Sequence, residues 1–383
     1  MSPTSSSMYS VADKARQSRP IDPSEPFHVS WVKGKTILIT GGASGFGASF
    51  FRKWAAAGAN VIIGDVDDNK GESIVRTVRI ATDNVNLHFI HCDVTDWQSQ
   101  VNFFKEAVKL SPHGGIDAVV ANAGVSELKP TFDKPGQLDV EEPPKPNMHV
   151  IDVNLVGVLY TTHLALFYLP RNPGSQPADP NNSQRKADES PRDRHLLLIG
   201  SMASLLPIPQ QILYGTSKHG VLGLFRSLRS TAFTNGVRVN LICPYFVDTA
   251  IISPVGRAVL AGSNLAKIED VVEAASRLMA DSRINGRNLV VGPRIKVVET
   301  EGEWRYFEQA RHEKGTEVSQ WEANTDDLEN TEVFTRRIIG IMNAAHEMNG
   351  WIKWTKDMAR ALLLMVKEGP MIISTWRRQN GGE

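Results

Sequence analysis

The chain has 383 residues, 41% of them hydrophobic, with 42 Lys plus Arg against 42 Asp plus Glu, so its formal charge is zero. That balance excludes a basic nucleic-acid binder and favours a small-molecule partner, while the length allows one large core or two modest ones. Its two cysteines, Cys92 and Cys243, each lie in an apolar stretch, which rules out a disulfide scaffold and suits core positions in a reducing compartment.

Residues 1–30 are rich in Ser, Pro and mixed charge without apolar period, and a poorly ordered arm is expected there. They lack the apolar segment of a signal peptide, and no run approaches the roughly 18 consecutive apolar residues of a spanning helix. A cytoplasmic enzyme is therefore expected. From Lys35 onward, short β-rich runs alternate with helix-length segments: Thr36–Ile39, Asn60–Ile63, Leu87–Ile90, Ala118–Val120, Leu196–Ile199, Val237–Ile242 and finally Asn288–Val291. Nearly continuous apolar strands separated by helices predict an α/β fold with a parallel sheet covered on both faces.

The segment 170–195 carries four prolines after Pro170 and many charges, and is expected to be an inserted surface loop. Within it Asn181-Asn182-Ser183 matches a glycosylation acceptor, read as a chance match. Beyond residue 298 an acidic stretch (Glu299, Glu301, Glu303, Glu308, Glu313, Glu317) precedes two expected helices at 331–348 and 351–368. Domain boundaries at 30 and 297 follow: an arm, a catalytic domain with its insertion, and a C-terminal helical extension. In the last helix Trp351, Ile352, Trp354, Met358, Leu362, Met365 and Val366 fall on one arc, with charges opposite. Packing on the enzyme's own surface or a second subunit is the favoured reading; an interfacial membrane contact through 351–376 is the alternative.

Two local patterns carry chemistry. Thr40-Gly41-Gly42-Ala43-Ser44-Gly45-Phe46-Gly47 follows the first strand and opens a helix, the context in which Gly41, Gly45 and Gly47 let backbone and helix N-terminus approach a diphosphate. The second strand ends at Asp65, 18 residues past Gly47, where a carboxylate binds ribose hydroxyls and repels the extra phosphate of NADP. NAD is favoured, with Asp67 and Asp68 adding repulsion and Lys70 keeping some NADP use open. Tyr214 and Lys218 lie four residues apart, on one face of an expected helix, where an ammonium would lower the phenol's pKa toward neutral and make Tyr214 an acid–base group.

In these motifs the chain resembles the short-chain dehydrogenase/reductase family over roughly residues 35–292. Thr40–Gly47 fits TGxxxGxG, Asn122-Ala123-Gly124 fits NAG, and Tyr214–Lys218 fits YxxxK. The resemblance implies a Rossmann-type, doubly wound sheet of about seven strands. It also implies a catalytic set of Asn154, Ser201, Tyr214 and Lys218: Ser201 holding the substrate oxygen, Asn154 holding a relay water, and Lys218 anchoring the nicotinamide ribose. By the same likeness Ser44, Phe46, Asp93, Val94, Asn122, Val247 and Thr249 join the cofactor site, the last two through Cys243–Thr249, where the family has PGxxxT. Tyr245 stands in place of that glycine, so either a strained φ or a shifted loop is expected. No metal site is indicated.

The stretch Ser201–Tyr214 is similar to hydroxyprostaglandin dehydrogenase-like members of the family, which implies a contact between Gln211 and the reacting hydroxyl, although a solvent-facing role at a helix start is equally open. Leu206, Ile208, Ile212, Phe246, Ile251 and Ile252 are expected to wall an apolar pocket for a lipid, terpenoid or polyketide. The expected reaction is oxidation of a secondary alcohol with NAD; ketone reduction by the same groups, or a scaffold that has lost hydride transfer, are the rivals. A homo-oligomer is expected from the family likeness.

Overall fold

The computed structural model describes residues 15–22, 25–127, 141–178, 192–247, 264–300, 303–306, 316–324, 337–356 and 358–360, with the isolated positions 132, 249, 260 and 262. The chain divides into a body, Met1–Asn330, and a second unit, Thr331–Glu383. In the body, β1 (Thr36–Thr40), β2 (Asn60–Asp65), β3 (Leu87–His91), β4 (Ala118–Ala121), β5 (His195–Ile199), β6 (Arg238–Pro244) and β7 (Asn288–Thr300) form the parallel sheet. Their order is β3-β2-β1-β4-β5-β6-β7, so the winding reverses beside β1. Ligand sites of such sheets lie beyond the carboxyl ends of the strands at that reversal.

Alternate residues of each strand enter opposite layers, as a period of two requires. Ile37, Ile39, Val61 and Ile63 meet Phe50, Phe51 and Trp54 of α1 (Gly45–Ala56), Ile74 and Val78 of α2 (Asp68–Thr82), and Val271 and Leu278 of α6 (Ile268–Ala280). Leu38, Ile62, Val119, Leu196 and Leu241 meet Phe103 and Phe104 of α3 (Trp97–Leu110), Leu164 and Ala165 of α4 (His149–Arg171), and Val221 and Phe225 of α5 (Ile212–Leu228). Among the described residues α4 alone is long and apolar enough to cross a bilayer, yet half of its apolar window is buried within the fold. Cys92 and Cys243 are free and buried in the second layer, as core residues should be.

The sheet outgrows the seven expected strands. β7 continues to Thr300, and β8 (Glu303–Tyr306) and β9 (Thr316–Ala323) pair antiparallel with it, nine strands among the described residues. The helical extension expected from residue 298 therefore begins as sheet. Charge misled the reading here: Glu322 is half-satisfied by Arg287 at 3.4 Å and accepts from the Ile21 amide at 2.5 Å, so an acidic residue is built into the body.

Two further expectations are corrected. Part of the N-terminal arm is docked: Ser18 donates its amide to Asn285 O at 3.0 Å, Asn285 Nδ2 donates to Arg16 O at 2.8 Å, and Ala15 and Gln17 are buried. The two described ends of the 170–195 segment are likewise interior, with Asn172, Asp193 and His195 buried. Asp193 bridges Lys35 at 2.8 Å and Arg238 at 2.7 Å, and buried charges persist only when paired in this way. Burial would push the Asp193 carboxyl up, but Arg238 and Lys35 hold it well below the ordinary carboxylate range. Asn181 lies outside the described residues. In the second unit residues 337–356 run as one helix through Gly350 rather than as two, while 331–336 and 361–376 lie outside the described residues.

Candidate active site

The glycine loop leaves β1 at Thr40 and enters α1 at Gly45. Gly41 has φ +66°, and a Cβ there would sit 2.7 Å from the Ala123 Cα; a Cβ on Gly47 would strike Gly41 O at 2.2 Å. Side chains are excluded at both positions, whereas nothing lies within 4 Å of where a Cβ of Gly45 would point. Ser44 is the N-cap of α1 but makes no side-chain cap bond, so the first-turn amides of the helix remain for an anion. Phe46 stacks on Phe50 with ring centroids 6.3 Å apart. This cradle fits the diphosphate of a dinucleotide.

Around it the structure gathers the other expected cofactor residues. Asn122 braces the loop, its Nδ2 donating to Thr40 O at 2.9 Å and Gly41 O at 3.0 Å. Asp65, at the end of β2, accepts from Ala43 N at 3.0 Å through Oδ2 and from Asp67 N at 3.1 Å through Oδ1. It is thus also a strut of the loop, a role that spacing alone did not reveal. Lys70, expected to leave room for an extra phosphate, is paired with Asp67 at 2.7 Å. Asp93 accepts from Thr95 N and Oγ1 at 2.9 and 2.7 Å, and Val94 is buried. Val247 is buried and bridges to Ala266; Thr249 is half-buried, and Asp248 lies outside the described residues.

The catalytic candidates meet at the carboxyl end of β5. Ser201 begins a short turn, Met202–Ser204, whose first amides it caps: its Oγ accepts from Ala203 N at 3.1 Å. The Tyr214 phenol lies near enough to the Ser201 side chain to be influenced by it. Lys218, one turn along α5, is buried, donates to Ile199 O at 3.0 Å and has Nζ 5.8 Å from the Tyr214 ring centre. Burial pushes the Lys218 ammonium down to about 8. Burial likewise raises the Tyr214 phenol, against the opposing Ser201 hydrogen bond. The expected lowering of the phenol is therefore not the outcome in the protein without cofactor: burial dominates at Tyr214, and Lys218 is itself driven toward neutrality. Behind Ser201 the Cys243 thiol is pushed up to about 11, chiefly by burial, and stays protonated.

Asn154 sits in a π-helical turn of α4, Asp152–Val156, and is fully buried. Its amide clamps the backbone of Val125 from both sides, Oδ1 accepting from Val125 N and Nδ2 donating to Val125 O, each at 2.8 Å. A Cβ on Gly124 would lie 3.4 Å from Asn154 Oδ1 and 3.9 Å from Lys218 Nζ, so the asparagine, the NAG segment and the lysine share one corner. Gln211 is the N-cap of α5, and its Nε2 donates to Glu127 O at 2.9 Å. Of the two outcomes expected at Tyr245, the strained φ does not occur: the described non-glycine residues with positive φ are Arg16, Asp83, Gln210 and Asn324. Of the apolar wall, Leu206 and Ile212 are exposed and Ile208 and Phe246 half-buried, while Ile251 and Ile252 lie outside the described residues. One residue at the site escaped sequence reasoning. Glu127, 4% exposed, accepts from Leu213 N at 2.8 Å and Tyr214 N at 3.3 Å through one carboxylate oxygen.

The profile of the short chain dehydrogenase family matches residues 35–176 and 192–259. This chain is a short-chain dehydrogenase. The dehydrogenase is 37% identical over 276 residues to 5'-hydroxyaverantin dehydrogenase of Dothistroma septosporum, an alignment covering 68% of this chain and 85% of the relative. It is 34% identical over 270 residues to an NADP-dependent dehydrogenase of Cochliobolus lunatus, covering 67% and 87%. Its fold superposes on the 3-ketoacyl-(acyl-carrier-protein) reductase of Brucella melitensis complexed with NADH, at a TM-score of 0.53 and 23% identity, covering 68% of this chain and 97% of that one. The dehydrogenase is thus an oxidoreductase of a family that works with a nicotinamide cofactor.

Proposed function

We propose that this dehydrogenase oxidises a secondary alcohol on a hydrophobic, polyketide- or terpenoid-like molecule, with NAD as acceptor. The observation that carries the reading is the meeting of Tyr214 with Ser201 and Lys218, with Lys218 reaching the Gly124 corner behind the glycine cradle. Leu206, Ile208, Ile212 and Phe246, exposed or half-buried, supply apolar surface in the same segments. The relative named for 5'-hydroxyaverantin supports an alcohol on a polyketide. Ser201 Oγ would hold the substrate oxygen, and Tyr214 Oη, near Ser201, would take the hydroxyl proton. Lys218 and Asn154 would connect that proton to the outside through the Gly124 corner, and Gln211 Oε1 would face the reacting hydroxyl. Gly41–Gly47, Asp65, Asp93, Val94, Asn122, Val247 and Thr249 would hold the nicotinamide dinucleotide, which would supply the hydride acceptor. NAD is favoured because a carboxylate at the end of β2, Asp65, would repel a 2'-phosphate and Lys70 is engaged by Asp67. Ketone reduction uses the same groups in reverse. The free, buried thiols suit a reducing, cytoplasmic setting.

The test is direct. Titration with NADH and NADPH, then turnover on a panel of hydrophobic alcohols by the wild type and by Tyr214→Phe, should give NAD-dependent oxidation that the substitution abolishes with cofactor binding retained. Activity of Tyr214→Phe above about a tenth of wild type refutes the role of the phenol. For the second unit we keep cover of a protein surface, in a homo-oligomer or on the body, ahead of membrane contact. Its exposed Trp351, Ile352, Trp354 and Met358 beside Lys353, Lys356 and Arg360 admit both. Co-sedimentation with anionic liposomes, set against oligomeric state, separates them.

A further inference from the structure

We infer that Glu127 is a positioning residue: its buried carboxylate caps the catalytic helix from a distant segment and thereby sets the place of the Tyr214 phenol. A helix leaves its first amides unpaired, and the usual remedy is a Ser, Thr, Asp or Asn at the N-cap that accepts from the second or third residue. In α5 the N-cap is Gln211, which makes no such bond. The amides of the second and third residues, Leu213 and Tyr214, are taken by Glu127 Oε2 instead, 86 and 87 residues away in sequence. Tyr214 is the third residue of that first turn, so the carboxylate holds the backbone from which the phenol projects.

The grip is double. Gln211 Nε2 donates to the Glu127 backbone oxygen at 2.9 Å, so both the side chain and the main chain of Glu127 are engaged by the start of α5. Immediately before it, Gln210 adopts φ +63°, a left-handed conformation unfavourable for a side-chain-bearing residue, and such a turn persists only where the surrounding structure holds it. Glu127 itself is fixed from behind. The neighbouring Val125 is clamped by Asn154, and Asn154 Nδ2 also reaches Ser217 Oγ at 3.4 Å on α5. Asn154 and Glu127 thus tie one strand-exit segment, Asn122–Glu127, to α5 at two points flanking Tyr214. A negative charge at a helix N-terminus is favourable in its own right.

The inference rests on Tyr214 as the acid–base group, and the test keeps the two apart. Glu127→Ala, Glu127→Gln and Tyr214→Phe are compared with wild type in the full chain, measuring kcat, substrate KM, NADH affinity and thermal midpoint. Glu127→Ala should lower kcat by about 10- to 100-fold, as small misplacements of a catalytic group do, with NADH affinity within about 3-fold of wild type. Glu127→Gln keeps an acceptor oxygen for the two amides and should recover most of the lost kcat. A Glu127→Ala kcat within about 2-fold of wild type overturns the inference. So does a Glu127→Gln enzyme no better than Glu127→Ala, or a kcat loss matched by an equal loss of NADH affinity. If the alanine variant does not fold, a folded glutamine variant with kcat within about 3-fold of wild type supports the role, and one with a kcat loss of about 10-fold or more refutes it. A Tyr214→Phe enzyme that stays active sinks the acid–base reading instead, whatever Glu127 does.

Discussion

Asp65→Asn puts the cofactor half of the site to a quantitative test. Asp65 has two jobs: its oxygens hold the Ala43 and Asp67 amides, and its charge faces the space beyond β2. Asparagine retains one carbonyl oxygen for Ala43 and loses the charge, so the loop survives while the electrostatics change. A hydrogen bond from a ribose hydroxyl to a carboxylate contributes about 1.5–3 kcal/mol, and its weakening should raise the NADH dissociation constant about 10-fold or more. For NADPH the sign reverses. Two unit charges about 4 Å apart repel by about 1 kcal/mol in water, hence about 2 kcal/mol for a doubly charged 2'-phosphate, or about 30-fold in affinity. The preference for NADH over NADPH should therefore fall by at least about 30-fold, read by fluorescence titration of both reduced cofactors at fixed ionic strength. If both affinities fall by the same factor, Asp65 is a strut of the glycine loop and nothing more.

Asp193→Ala should cost about 3–5 kcal/mol, because it leaves Lys35 and Arg238 buried without their shared carboxylate; a shift below about 1 kcal/mol in denaturant unfolding would refute that. In the cofactor-free protein Lys218 titrates near about 8 rather than 10.5. Between those values the unfolded chain carries a proton that the folded chain has released, so stability rises with pH across the window and the cost of burial is full below it. Lys218→Met should accordingly raise the thermal midpoint at pH 7 by an amount that shrinks toward pH 10, while abolishing turnover; a pH-independent difference contradicts the linkage. A chain ended after Val298 loses β8 and β9, withdrawing the Trp321 ring that covers Gly292, and should aggregate or unfold, whereas a chain ended after Asn330 keeps the body and its activity. Equal thermal midpoints for the two truncations would show β9 to be dispensable.

What could be read in the sequence was local. The seven parallel strands announced themselves as short apolar runs, and Thr40–Gly47 and Tyr214–Lys218 each complete their pattern within one turn or one helix face. What could not be read depends on partners far apart in the chain. Glu127 looks like any charged loop residue until α5, more than eighty residues later, brings its amides to it. Asp193, in the segment expected to be a surface loop, reads as surface charge until Lys35 and Arg238 are brought to it. The acidic stretch near Glu317 read as non-core because charge dominated it. Its strand, Thr316–Ala323, is nonetheless held by backbone pairing along β7, which no composition reveals. The tyrosine's ionisation was misjudged for a related reason: pair spacing shows Lys218 near the phenol but not the dry surroundings that act on both.

The last strand also decides which edge the sheet presents on one flank. A parallel sheet of this order has two flanks, and a flank strand with unpaired amides and carbonyls is a template on which another chain can continue the sheet. At β7 that template is consumed internally, since β9 lies along Asn288–Val291 and again along Ile295–Val297. Any further strand on that side would have to add to Thr316–Ala323 and not to β7. The protein's own tail thus presents that flank, with the exposed Glu317 upon it, and charge along an edge strand discourages further pairing.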